Sequence, residues 1–195
     1  MSAVNSAVAR RPGRPRFAAD RGVLAATADV LSESGYAGFT IDRVAARAGV
    51  ARATIYRRWS TKLDLVIALL RDLRVAFAVP DTGALETDLR GLFDRYRSDI
   101  ATAGERVMAA LASEAFNNPE LSEALRAELI APRRHQVAAL FQRAIARGEV
   151  RADVDITLVV NVVWGFVWQR RFISVMGIDG EAADRFLAVL LNGIR

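Results

Sequence analysis

The sequence contains no cysteine. Disulfide staples and thiolate metal sites are thereby excluded, and a reducing cytoplasm is the expected compartment. Histidine occurs once, at His135, so no pair of imidazoles can share a metal. A lone His between Arg134 and Gln136 reads first as a surface or helix-lining residue. There is no HExxH, no EF-hand spacing and no phosphate-cradling Gly loop, and Asp and Glu are scattered over polar faces. Neither an enzyme nor a cofactor is expected. Long apolar runs are scarce as well. The longest, "ITLVVNVVWGFVW" from Ile156 to Trp168, contains Asn161 and stops before Arg170 and Arg171. It is too short to cross a bilayer and reads as a helix buried in protein. The opening "MSAVNSAVARRPGRPRF" has no apolar core of signal-peptide length, so export is not expected. No stretch sustains period-two alternation, which leaves no candidate strand.

Basic residues are present but unevenly placed. Residues 1–62 hold 11 Arg and Lys against 4 Asp and Glu, a charge of +7; residues 63–195 hold 16 against 18, a charge of −2. A basic end on a near-neutral body is the electrostatic footprint of a polyanion binder. Lys62 is the only lysine, and a coding bias towards Arg accounts for that choice without accounting for the clustering. The 52% hydrophobic fraction is ample for a globular core.

Helical spacing dominates the chain. Val23, Leu24, Thr27, Val30 and Leu31 form one stripe, closed by Gly35. Thr40 is a good N-cap for a helix whose inner face is Ile41, Val44, Ala45 and Ala48, with Gly49 as its stop. After Val50 a short helix is expected from about Arg52 to Arg58, with Ile55 and Trp59 inward. Its cap position holds Ala51, a weak cap. A longer helix follows over 63–78, and others are expected at 84–102, 105–116, 120–147 with a kink at Pro132, 155–176 and 181–193. The expected fold is all-α with about nine helices. Three units are expected: a disordered basic arm at 1–16, a helix-turn-helix unit at 17–62 and a helical body at 63–195.

The stretch "TIDRVAARAGVARATIYRRW", Thr40 to Trp59, raises the functional question. Two helices on a tight Gly turn form a helix-turn-helix, in which the second helix enters the DNA major groove. Its outward side here is Arg52, Ala53, Thr54, Tyr56 and Arg57. Arginines suit guanine O6 and N7, and Ala or the Thr methyl suits a thymine methyl. Thr40 and the amides behind it face a phosphate, Lys62 suits a second phosphate, and Tyr56 can donate its hydroxyl to the backbone. Periodicity alone also allows a plain helical hairpin with a solvated basic face. In the tail "ARRPGRPRF", Pro12 and Pro15 favour extension, and Arg10, Arg11, Arg14 and Arg16 flank a "GRP" centre suited to a narrow minor groove. A merely solubilising tail has the same composition.

The stretch "GYAGFTIDRVAARAGVARATIYRRWSTKLDLV" resembles the TetR family of bacterial transcriptional regulators. The shared frame is a Gly-Tyr loop, Thr, a Val-Ala helix, Ala-Gly-Val, a short helix ending Ile-Tyr-x-x-Trp, then x-x-Lys. Ala51 departs from it, since the family often has Ser there. The resemblance implies DNA contacts at Arg52, Ala53, Thr54, Tyr56, Arg57 and Lys62, with Thr40 at the edge. It implies a homodimer on a palindromic operator, paired through the helices near 155–176 and 181–193, and a small-molecule effector held inside the helical body. A ligand-released repressor is the expected function. Apolar bulk in the body is mostly core; Met108, Phe116, Phe141, Trp164 and Trp168 are the expected pocket residues. The rival reading is an enzyme or small-molecule carrier whose basic end is incidental.

Overall fold

The structure, a computed structural model, describes residues 14–75, 79–96, 102–174 and 176–194, and side chains from residue 20 onward with Ala103 excepted. Ten α-helices are formed among the described residues: α1 (Arg14–Gly38), α2 (Ile41–Ala48), α3 (Arg52–Tyr56), α4 (Lys62–Val75), α5 (Leu85–Asp94), α6 (Ala103–Ala115), α7 (Pro119–Leu125), α8 (Ala131–Ala146), α9 (Ile156–Trp168) and α10 (Gly180–Ile194). A π-helical turn, Arg126–Ile130, welds α7 to α8, and a second, Gln169–Ile173, extends α9. With α7 and α8 joined, nine helical elements stand among the described residues, which contain no strand.

Local chemistry sets most of the helix starts. Thr61 and Asp64 cap α4 reciprocally: the Asp64 amide donates to Thr61 Oγ1 at 3.0 Å and the Thr61 amide to Asp64 Oδ2 at 2.9 Å. Thr102 and Glu105 do the same for α6. Asn118 accepts from the Leu121 amide, with Pro119 in the first turn of α7. Asp155 accepts from the Leu158 amide at the head of α9. The start of α5 has no cap of its own, and the Leu85 amide donates instead to Glu149, 64 residues away. Gly35 breaks α1 with φ at 65°, a conformation that side chains with a Cβ seldom adopt. The kink expected at Pro132 takes the form of the π turn before it. Proline has no amide to donate, and its ring crowds the carbonyl four residues back, so the preceding turn widens. The Ala131 amide accordingly donates to Arg126 O.

Apolar packing falls into two clusters. One joins α1 to α4 with α6 and α7, through Val30, Leu31, Val44, Ile55, Leu65 and Leu111. The other joins α5 to α8, α9 and α10, through Leu89, Phe93, Phe141, Val163 and Leu187. α1 packs along α6, so the N-terminal helices share their core with part of the body. Arg71 reinforces this join with a bidentate pair to Glu128 at 2.9 and 2.7 Å. No helix among the described residues is long and apolar enough to cross a membrane.

Candidate nucleic-acid interface and internal cavity

The α2–α3 hairpin is built as its residues require. Thr40 Oγ1 accepts from the Arg43 amide at 3.3 Å, and its hydroxyl hydrogen remains available to an outside acceptor. Gly49 ends α2 in the left-handed region, with φ at 65° and ψ at 32°. Ile55 is wholly buried and anchors α3 to the core. Ala51 makes no side-chain cap, so α3 is held by packing and by one further turn, in which the Arg57 amide donates to Ala53 O and the Trp59 amide to Ile55 O. Ion pairs fix the hairpin to α1: Arg47 to Glu33 at 2.9 and 2.7 Å, and Arg58 to Asp20.

Arg52, Ala53, Tyr56 and Arg57 all stand exposed on one side of α3, with Thr54 half-buried beside them. Arg52 is pre-oriented. Its Nε pairs with Asp42 Oδ1 at 2.5 Å, and its Nη2 lies 3.5 Å from the Tyr56 hydroxyl. Arg57 is exposed and carries no ion pair among the described residues. Lys62 is half-buried at the start of α4. Its ammonium donates to Tyr36 O at 2.5 Å, lies 3.9 Å from the Tyr36 ring centre, and has its pKa lowered by burial. It braces α4 against the last turn of α1. Arg14 and Arg16 stand on the first turn of α1, not in an extended arm. Their side chains, and the rest of the expected arm at 1–13, lie outside the described residues.

A cavity of about 1000 Å³ separates the two apolar clusters. Met108, Phe116, Trp164 and Trp168 are among the residues that line it. Phe141 is not. It is wholly buried in the α5/α8–α10 cluster, because α8 turns that face inward along with Val137 and Leu140. Phe116 is 89% exposed and stands at a mouth, not in the depth. Gly165 faces open space, where an added Cβ would meet nothing within 4 Å. His135 is exposed and is not part of the wall.

Several wall residues have no sequence signal of their own. Leu129 and Ile130 come from the first π turn and Phe172 from the second. Glu105 is legible as the capping partner of Thr102, yet its other partner is Arg171, 66 residues on, bonded at 2.7 and 3.2 Å with both side chains nearly inaccessible. Burial pushes the Glu105 pKa up, but bonds from Arg171 and Thr102 together outweigh it and hold the carboxyl below its ordinary value. No cluster of metal-ligating side chains occurs among the described residues.

Comparison with known proteins agrees with this architecture at both ends. Residues 23–69 match the family described as "Bacterial regulatory proteins, tetR family", and residues 79–190 match "Tetracyclin repressor-like, C-terminal domain". The chain is 33% identical over 184 residues to the DNA-binding transcriptional repressor TetR of Mycobacteroides abscessus, covering 93% of each chain. The crystal structure of the TetR family transcription regulator SCO0332 superposes with a TM-score of 0.70 at 29% identity, covering 91% of this chain and 98% of that one. The transcriptional regulator FadR from Bacillus subtilis, solved in complex with stearoyl-CoA, has a TM-score of 0.71 at 20% identity, covers 90% and 99%, and shares the fold. A Gly-turn hairpin with a basic short helix and a helical body behind it thus match two successive models of a single family, and the chain belongs to the TetR family of bacterial transcriptional regulators.

Proposed function

We propose that the protein is a homodimeric repressor that reads a palindromic operator with two copies of α3 and is released by a small apolar or amphipathic molecule in the cavity. One observation carries this reading. A single apolar cluster contains Ile55, which seats α3, and also Met108, Leu125 and Leu129, which line the cavity. Filling the cavity therefore acts on the packing that positions the reading helix. A ligand that favours a conformation with altered α3 spacing shifts the population away from DNA; typical coupling is about 1–3 kcal/mol.

Arg52 and Arg57 are assigned to guanines, Ala53 and Thr54 to thymine methyls, and Thr40 and Tyr56 to phosphates. Arg14 and Arg16, with the residues before them, are assigned to the flanking minor groove. Lys62, fixed by its bond to Tyr36 O, is assigned to a second phosphate through its remaining ammonium hydrogens. The dimer face is assigned to α9 and α10. Leu158 and Val162 on α9 and Val189 on α10 are 58%, 44% and 78% exposed, and exposed apolar side chains at helical spacing favour a partner surface. Two-fold symmetry sets the α3 helices about 34–36 Å apart, one turn of B-DNA.

Selection of bound fragments from random duplex DNA tests the reading. The expected product is one inverted repeat with half-site centres about 10 base pairs apart. Enrichment of unrelated sequences, with binding that disappears at physiological salt, would reject it in favour of nonspecific attachment.

A further inference from the structure

Between Thr40 and Lys62 the hairpin holds five arginines and one lysine but a single acidic residue, Asp42. A carboxylate on a surface that meets phosphates costs affinity for every DNA sequence. Its position is nevertheless specific. Asp42 stands in the first turn of α2, where the helix dipole favours a negative charge, and it pairs with Arg52, the first residue of α3. Oδ1 lies 2.5 Å from Arg52 Nε, and each side chain is 58% exposed. An ion pair so exposed adds little to folding. What it fixes is direction. A guanidinium has two edges that can bond in bidentate fashion, Nε with Nη2 and Nη1 with Nη2. Asp42 takes Nε, which closes the first edge. The Tyr56 hydroxyl, 3.5 Å from Nη2, limits sideways swing, and Nη1 has no partner among the described residues. The Nη1–Nη2 edge is the one left to bridge guanine O6 and N7. No capping side chain at Ala51 fixes the start of α3, so this pair is the side-chain tie between α2 and the first residue of α3.

We infer that Asp42 is a specificity-determining residue: it meets no base itself, but by holding Arg52 through Nε it makes the guanidinium present its Nη1–Nη2 edge to one guanine of each half-site. An arginine without that tie swings between base edges and neighbouring phosphates, and contacts to phosphate carry no sequence information. Asp42 therefore gives up some affinity for DNA in general and gains discrimination at one base pair. The inference rests on the assignment of Arg52 to a guanine and adds the positioning residue and the guanidinium edge that does the reading.

The test uses the full chain, the operator recovered by the selection above, and single-base-pair variants of that operator at every position of the half-site. Arg52→Ala first locates the position at which preference depends on Arg52. At that position Asp42→Ala is expected to cut the wild-type preference for guanine by about fivefold or more, the scale of coupling between side chains in contact, with preferences at the other positions unchanged. Affinity for the operator variants substituted at that position is expected to hold or rise, because a negative charge has left the interface. Asp42→Asn, which keeps an oxygen acceptor without its charge, is expected to retain part of the preference. In the Arg52→Ala background, Asp42→Ala is expected to change discrimination nowhere. Circular dichroism checks that both Asp42 variants keep their helix content. Full guanine preference in Asp42→Ala, with Arg52→Ala losing it, overturns the inference and leaves Arg52 as a base contact. Tighter binding to all sequences at unchanged preference also overturns it and makes Asp42 a repulsive charge only. Equal losses at every position overturn it in favour of general damage to the hairpin. If Arg52→Ala itself alters no single position, the base assignment of Arg52 fails and the inference falls with it.

Discussion

At the scale of single residues, two side chains carry most of the testable content. Arg52 is held by Asp42 through Nε and lies beside the Tyr56 hydroxyl, so the free protein already restricts the guanidinium proposed to read a base. Arg52→Ala is expected to weaken operator binding by about 1–3 kcal/mol and to relax preference at one base position in a repeat of the selection. A uniform loss over all sequences would make Arg52 a phosphate contact. Glu105 governs a different property. Its pKa is below the ordinary glutamate value of 4.5 in the folded protein, so its contribution to stability is fully present above that value. The contribution is lost as pH falls from there through the folded pKa. Urea denaturation across this range is expected to show the wild-type protein losing stability below about 4.5. Glu105→Gln is expected to lack that part of the acid loss and to be weaker at neutral pH by about 3 kcal/mol, since it leaves Arg171 buried without a charged partner.

At the scale of elements, the hairpin and the segment before α1 behave differently. The short α3 has no capping side chain, and Gly49, Ile55 and the ion pairs to α1 substitute for intrinsic helix stability. Five residues are far below the length at which a helix persists alone. The preceding segment belongs to the chain outside the described residues, and its role is settled by removal. Deleting residues 1–13 spares α1, which begins at Arg14, and removes Arg10 and Arg11. Operator affinity is expected to fall, and the slope of log affinity against log salt to flatten by up to about 1.8, or 0.9 for each lost phosphate contact. An unchanged slope would return the segment to a solubilising role.

At the scale of the whole molecule, the proposed dimer face and the cavity share the α9 region. One side of α9 is exposed through Leu158 and Val162, while Trp164 and Val167 on the same helix line the cavity. Val162→Glu places a charge in the assigned dimer face. Sedimentation equilibrium is expected to show a dimer for the wild-type chain and dissociation for the variant at micromolar concentration, with operator binding lost in parallel. Helix content should be unchanged, because Val162 is 44% exposed in the single chain. A variant that stays dimeric would move the interface elsewhere.

The sequence by itself determined what depends on neighbours in the chain. Helical stripes, the Thr40 cap, the Gly49 turn and the outward placing of Arg52 and Arg57 all follow from spacings of three or four residues. Those are the distances over which a helix brings side chains together, so period and cap chemistry suffice. Only the tertiary structure decided what depends on residues far apart: Lys62 bonded to Tyr36 O, Phe141 in the core, Glu105 on Arg171, and Arg133 on the carbonyl of Leu73. An apolar residue in a helix carries the same periodic signal whether it meets another side chain or an empty cavity. Which of the two it meets is set by how the two clusters fail to close over each other, and that is a property of packing, with no local pattern to announce it.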